Sequence, residues 1–523
     1  MAAEGITALS KVSTPPAHHP ESLLRSAGIV GITTALSRIL GFARDWLIAV
    51  SYGTSLTAQA FVVAFRVPNL LRDLVGEGAA NAAFVPVFSG TRTARGREEW
   101  LRLAQALWVR VLLGAVGISA AGVAAAPWLV RWVAPGFASD PALLQLTTEL
   151  TRILFPFIGL VGLAAFFMGL LNSVHHFALP SLGPALLNLC MIAGLLLWRP
   201  EAKGLAWGII VGGLAQLLIQ IPALRREGFG LRPRWTQHPG VREVGQLMIP
   251  RAVGSGVHQI SVLVDTIFAS FGQLVGQGGV AALYFAHRFL HLPLALFGIS
   301  MAQAALPTLS VQAVRGDPQA ARRTLSLALR ASLAIALPSS VGLVILAHPI
   351  IRTLLQHGQF SADSTRLTVA ALQWYALGLC SLCAAKVLAN ALYAFQDTWT
   401  PVRSAAVALV MNALLNLILI WPMGLAGLAL ATSLSSTWNA FHLYRAVRRR
   451  VGPMASEWRG SVLRLGAASA GMGLLVQGMA AAGSGLAWLA VTVLAGLVSF
   501  FGLAILLRVE EIQKLRAWLF RRS

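Results

Sequence analysis

Four arginines, Arg38, Arg44, Arg72 and Arg288, lie inside stretches that otherwise read as membrane-spanning helices. On insertion scales an arginine at the centre of such a helix costs roughly 2.5–3.5 kcal/mol, so a chain that keeps several is holding an anion, a water-filled cavity, or both. The first span, GIVGITTALSRILGFARDWLIAVSYG, sets Arg38 and Asp45 two helical turns apart on one face, with Arg44 at its edge. The second, AFVVAFRVPNLLRDLVGEGAANAAFVPVF, carries Arg66, Arg72, Asp73 and Glu77 around Pro68, Gly76 and Gly78, residues that loosen a helix where it bends or lines a cavity. The seventh span adds His258, Gln259 and Asp265, and the eighth His287, Arg288 and His291. A guanidinium is a planar fork of donors that matches phosphate oxygens in pairs. The expected ligand therefore carries phosphate or several carboxylates, with Asp45 as internal counter-ion when the site is empty. A plainer reading stays open, in which Arg44–Asp45 and Arg72–Asp73 are pairs snorkelling to the water boundary. His287 and His291 sit one turn apart with no third metal ligand evident.

The elements that must position these groups follow from composition. The chain has 523 residues, 56% hydrophobic and 11% charged, with a mean hydropathy of +0.70. Apolar runs of ~20 residues give about fourteen spans, with short loops and no soluble domain. The spans centre near 38, 70, 117, 161, 188, 213, 260, 294, 335, 380, 410, 432, 471 and 497. The expected fold is an all-α polytopic membrane protein. Residues 1–25 lack the apolar core of a signal peptide and read as a cytoplasmic tail.

A net charge of +22 invites a nucleic-acid partner, but the distribution rejects it. With the N-terminus in the cytoplasm, the inward loops hold eighteen arginines, among them Arg225, Arg226, Arg448, Arg449 and Arg450; the outward loops hold five basic residues, Arg131, Arg199, Lys203, Arg352 and Arg366. That positive-inside bias places both termini in the cytoplasm. Residues 509–523 read as a basic amphipathic tail suited to an anionic inner leaflet. Cys380 and Cys383 form a C-x-x-C within an apolar helix with no clustered histidine, a poor setting for a metal.

Self-similarity at a spacing of ~220 residues organises the chain. Asp45 aligns with Asp265, Ser51-Tyr52-Gly53 with Ser270-Phe271-Gly272, APWLVRWVAPGF (126–137) with AHPIIRTLLQHGQF (347–360), and Asn172 and Phe177 with Asn390 and Phe395. Six spans per unit is an even number, so both halves enter the membrane in the same direction as a parallel repeat. The expected division is an N-lobe at 26–225, a C-lobe at 226–450 and two further helices at 451–508.

SRILGFARD (37–45), AFRVPNLLRDLVGEGAANAAFVPVF (64–88), LLNSVHHFALPSLGPALLN (170–188), HRFLHLPLALFGISMAQAALP (287–307), LLQHGQFSADST (354–365) and YAFQDTWTPV (393–402) together resemble the MurJ (MviN) family of lipid II flippases, of the multidrug/oligosaccharidyl-lipid/polysaccharide exporter superfamily. The resemblance runs from about residue 25 to 450. It implies two six-helix lobes, and two terminal helices forming a groove for a lipid tail. It also implies a substrate, lipid II, moved from the cytoplasmic to the outer leaflet of the bacterial inner membrane for cell wall synthesis. The family's cavity arginines fall on Arg38, Arg44, Arg72 and Arg288, its neighbouring acid on Asp45, and its Glu-Gly-Ala segment on Glu77, Gly78 and Ala79; Arg66 keeps a positive charge the family has there. Two departures stand out: Gln59 and His287 replace acids found in many members, and His287 adds a group able to titrate near neutrality.

No cofactor is implied. Na+, H+ or the membrane potential stays open as a driving force, with Asp265 as a candidate ion ligand. Rival classes are a flippase for another polyprenyl-linked glycan, a cation-coupled multidrug exporter, which calls for cavity carboxylates where arginine dominates here, and a membrane-embedded glycosyltransferase, which calls for an acid-rich site on a substantial loop.

Overall fold

The computed structural model describes residues 20–72, 81–198, 201–454 and 457–513, and among them the chain is helical without a strand. The first lobe contains α1 (Pro20–Tyr52), α2 (Leu56–Arg72), α3 (Asn81–Val133), α4 (Pro141–Leu154), α5 (Pro156–Ser173), α6 (Ala178–Leu197), α7 (Ala202–Leu218) and the short α8 (Ile221–Arg226). The second contains α9 (Gly240–Ala269), the single turn α10 (Gly272–Val275), α11 (Gly279–Pro293), α12 (Ser300–Val314), α13 (Pro318–Leu355), α14 (Ala362–Leu377), α15 (Leu379–Ala394), α16 (Trp399–Met423) and α17 (Leu425–Val451). The chain continues into α18 (Glu457–Ala482) and α19 (Leu486–Leu506).

Among the described residues nine helices are long and apolar enough to cross a membrane, ten if α14 and α15, bent by 46°, count as one crossing. The 33, 30 and 27 residues of α1, α9 and α17 also suffice in length, but these helices are diluted by polar groups. The 53 residues of α3 would run for about 80 Å as one straight helix. Gly96 (φ 83°) divides it instead, so that its second part makes a crossing of its own. Together with α11–α12 and α4–α5 as bent crossings, this gives fourteen, as expected.

The parallel repeat is visible in the packing. α2 lies on α4 as α11 lies on α14, α6 on α7 as α16 on α17, and α1 on α6 as α9 on α16. One set of hydrogen bonds between the lobes gathers at one end. There the Gly136 N–H donates to Ser270 Oγ at 3.0 Å, the Gln359 N–H to the Val50 carbonyl at 2.9 Å, and Trp46 Nε1 to the Leu354 carbonyl at 2.8 Å, while the hydroxyls of Thr54 and Ser364 share a bond of 2.8 Å. A Cβ on Gly136 would collide with the Ser270 carbonyl, and one on Gly358 (φ +57°) with the Val50 carbonyl. The two most similar repeat segments thus each grip the opposite lobe, forming a clasp of two related halves.

Exposed tryptophans mark both ends: Trp128, Trp132 and Trp421 beside the clasp, Trp235 and Trp399 at the other. Amphipathic rings of this kind settle at headgroup level. One expectation is revised. Residues 509–513, read as the start of a surface tail, bury Val509 and Ile512, and Glu511 meets the buried Arg330 of α13 (Nε–Oε1 2.9 Å) while accepting from the Ser461 hydroxyl at 2.9 Å. Burial of the Glu511 carboxylate is sustained because a guanidinium and a donor meet it there. The remaining tail, 514–523, lies outside the described residues.

Candidate functional site

Between the lobes, below the clasp, two adjoining cavities of about 210 and 510 Å³ share Phe65, Asn69, Arg288 and His291 in their walls. Their order along α1 is set by helical rise. Arg44 and Asp45 lie two turns from the clasped end of the helix, and Arg38 sits two turns further from it, exposed at the mouth.

Asp45 is the centre of the arrangement. Its Oδ1 accepts from Arg44 at 2.7 Å and from the Tyr284 hydroxyl at 2.9 Å, and its Oδ2 meets Arg288 Nε at 3.0 Å. Arg288 Nη2 in turn donates to Tyr284 Oη at 3.0 Å, and its guanidinium lies 4.9 Å from the Tyr284 ring centre. Arg44 Nη1 donates to Asn188 Oδ1 at 2.7 Å, and Asn188 Nδ2 donates to the Ser37 carbonyl at 3.0 Å. One carboxylate thus joins a first-lobe arginine to a second-lobe arginine, and Asn188 fixes the rotamer of the first. Arg288 keeps 47% of its side chain exposed, against 11% for Arg44, so it is the more accessible guanidinium of the two.

The upper cavity is lined by Arg66, Asp265, His287 and Tyr375 as well as Arg288. Arg66 Nε is buried without a hydrogen-bond partner, facing this cavity and not the water boundary. Asp265 accepts from Asn416 Nδ2 at 2.9 Å and Thr432 Oγ1 at 3.2 Å, a shell of neutral donors. His287 and His291 approach with ring centres 4.2 Å apart. No group of three or more potential metal ligands occurs among the described residues. Arg72 lines the lower cavity. The walls of the two cavities together hold five arginines (38, 44, 66, 72, 288) against two aspartates (45, 265), an excess of three positive charges with histidines neutral. Like charges gathered in this number favour an anionic occupant.

Of the residues singled out in the sequence, Arg38, Arg44, Asp45, Arg66, Arg72, Asp265, His287 and Arg288 all line these cavities. Glu77 and Asp73 lie outside the described residues, as does the side chain of His258. Gln59 is buried and lines neither cavity. Sequence reasoning missed Asn188, Tyr284, Asn416 and Thr432. An asparagine inside an apolar helix is itself a signal, and Asn188 and Asn412 stand at the repeat spacing.

Two membrane-embedded lobes around a charged central cavity, closed at one end, define a polytopic transporter of the alternating-access type. The sequence profile of the lipid II flippase MurJ family matches residues 48–503, and the chain belongs to that family. Its relatives include the lipid II flippase MurJ of Burkholderia cenocepacia, 36% identical over 82% of this chain and 84% of that protein. The probable lipid II flippase MurJ of Bdellovibrio bacteriovorus is 34% identical over 95% and 97%. Among solved structures, a lipid II flippase MurJ in an inward closed conformation superposes with a TM-score of 0.79 at 26% identity, covering 92% of this chain and 98% of that one. An inward-facing multidrug transporter of the MATE family shares the fold, with a TM-score of 0.68 at 14% identity over 82% of this chain and 99% of that one.

Proposed function

We propose that this chain moves lipid II, a polyprenyl pyrophosphate bearing the peptidoglycan precursor, from the cytoplasmic to the outer leaflet of the bacterial inner membrane. The observation that carries the reading is the Arg44–Asp45–Arg288 bridge in a cavity with excess positive charge. A pyrophosphate diester carries roughly two negative charges, and guanidinium forks pair its oxygens. Arg288, the more exposed of the two bridging arginines, meets the pyrophosphate first. As Arg288 turns to phosphate its hold on Asp45 weakens, which loosens one tie between the lobes.

The clasped end faces outward in this proposal, and both termini lie in the cytoplasm, in keeping with the arginine-rich loops at the open end. The cavity then receives the headgroup from the inner leaflet, and rocking of the lobes breaks the clasp and exposes it outside. Arg38 and Arg72 guide the headgroup inward, Arg66 extends the positive field, and Glu77 borders the same path. The isoprenoid tail stays in hydrocarbon along α18 and α19. No covalent step is required. Asp265 is the group we assign to coupling, to H+ or Na+, with His287 beside it in the cavity wall; a membrane potential acts on any net charge moved at roughly 2.3 kcal/mol per charge per 100 mV.

Complementation tests the reading. The chain is expressed in bacteria depleted of their own lipid II flippase, beside Arg44→Ala, Arg72→Ala and Arg288→Ala variants shown to reach the membrane. Growth with the wild type and none with the variants is expected. Growth with all three variants would remove the site assignment, and no growth with a well-expressed wild type would remove the substrate.

A further inference from the structure

A second basic cavity lies away from the central one, at the clasped end. The last two turns of α13, the start of α14 and the turn between α18 and α19 enclose about 730 Å³ on one side of Arg352 and about 560 Å³ on the other. His348, Arg352 and Gln356 line both spaces; His357 completes the first and Arg366 the second. No acidic residue stands in either wall. Arg352 and His348 are exposed, and neither has a partner among the described residues. Arg366 has only the exposed Asp363 one turn away at 3.2 Å, a pair of the kind that contributes little and yields readily to a better anion.

The internal repeat supplies a control. Pro127 and Gly136 align with Pro349 and Gly358, and Gly136 and Gly358 make equivalent close approaches in the two halves of the clasp. This register sets Ala126, Val130 and Pro135 of the first lobe opposite His348, Arg352 and His357 of the second. The backbone thus needs no base at any of these positions. The first copy has a single base in this stretch, Arg131, one position along from Val130, whereas the second gathers three beside the α18–α19 turn; Trp488 at the start of α19, a headgroup-level residue, and the small residues Gly483, Ser484 and Gly485 complete the wall.

We propose that this cavity is a binding site for the phosphate of a lipid headgroup in the outer leaflet. Arg352 and Arg366 chelate the phosphate oxygens, His348 and His357 donate at the rim, and the acyl or isoprenoid chain descends beside α18 and α19. The outward position rests on the orientation given under the proposed function. The site is joined to the clasp through the chain itself: Gln356 accepts from the Thr365 hydroxyl at 3.1 Å, and three residues on the Gln359 N–H reaches Val50. An occupant held between Arg352 and Arg366 braces this segment in its clasped shape. The phosphate has two sources, an anionic phospholipid or the polyprenyl pyrophosphate delivered by transport.

The full chain is reconstituted in phosphatidylcholine vesicles containing either phosphatidylglycerol with a photoreactive headgroup or a polyprenyl pyrophosphate with a photoreactive first isoprene unit, and labelled peptides are mapped after illumination. Labelling is expected in peptides covering 346–373 and 483–492. It should fall about tenfold in an Arg352→Gln/Arg366→Gln double variant that melts at the wild-type temperature, and recover in part with Arg352→Lys/Arg366→Lys. Labelling by the phosphatidylglycerol probe alone assigns the site to phospholipid; labelling by the pyrophosphate probe assigns it to the transported lipid. Labelling no stronger than that by a photoreactive phosphatidylcholine, or unchanged in the double variant, overturns the proposal. Labelling of the central cavity in the same wild-type samples separates the two readings: if the pyrophosphate probe leaves that cavity unlabelled, the transport reading fails while the outer site stands on its own result.

Discussion

Asp45 and Asp265 occupy equivalent places in the two copies of the repeat, yet the folded protein treats them as different chemical objects. Asp45 sits among guanidiniums, with Arg44 at 2.7 Å and Arg288 at 3.0 Å. Asp265 sits among an amide and a hydroxyl, at 2.9 and 3.2 Å. The duplicated position retained its carboxylate, and the neighbours decided its task. In the first lobe the neighbours are permanent cations, which pair with the carboxylate and let it tie the lobes together. In the second the direct hydrogen-bond partners are neutral, the setting on which the proposed coupling role of Asp265 rests.

Substitution should separate the two sharply. Asp45→Asn leaves Arg44 and Arg288 facing each other without their shared counter-ion. Breaking a fully buried pair costs about 3–5 kcal/mol; with Arg288 47% exposed, about 2–3 kcal/mol is expected, with loss of complementation. Thermal melting in detergent and the growth assay read the two effects. Asp265→Asn keeps the shape and leaves an oxygen for the Asn416 and Thr432 donors, so the change in stability should stay within about 1 kcal/mol. Transport should instead lose its dependence on external pH or Na+, which flux into vesicles would detect. A melting drop as large as that of Asp45→Asn would erase the distinction.

The next effects are smaller. Asn188→Ala frees Arg44 from its 2.7 Å anchor and should cost roughly 1–2 kcal/mol, with transport reduced about tenfold. Tyr284→Phe removes the hydroxyl that Asp45 and Arg288 share and should cost about 1 kcal/mol, with a few-fold loss of transport. Asp397 lies in the loop before α16, away from both aspartates, and provides the reference. The Thr400 N–H, followed by the Thr400 hydroxyl and Arg450, holds its carboxyl below the ordinary carboxylate range. Its contribution is therefore complete above the unfolded value, near pH 4, and is lost as pH falls through the lower folded one. Asp397→Asn should melt below the wild type at pH 7, the gap closing in acid, with transport untouched.

Much of this was legible in the chain because charge in an apolar segment is expensive and therefore informative. The arginines of α1, α2 and α11 announced the cavity, and the repeat announced two lobes. The uncharged members of the site were hidden. Asn188 and Tyr284 cost little in a helix, and only the crossing of α1 with α6 and α11 reveals what they hold. The fate of residues 509–513 was hidden for a related reason: Glu511 is an ordinary surface residue until Arg330, 181 positions earlier, is brought beside it. The strongly basic ends drew attention to charge that is topological, while Arg352 and Arg366, counted among the outward loops, gave no sign that they line adjoining spaces.

The clasp has a consequence for how well the membrane stays sealed. Its two halves, Gly136 on Ser270 and Gln359 on Val50, are copies of one contact on opposite sides of the cavity. Lobes that swing as rigid bodies release both together, whereas a lesion in one half leaves the other fastened. A single defect there should slow or bias the cycle without letting ions leak; a conducting path would require damage to both copies in the same molecule.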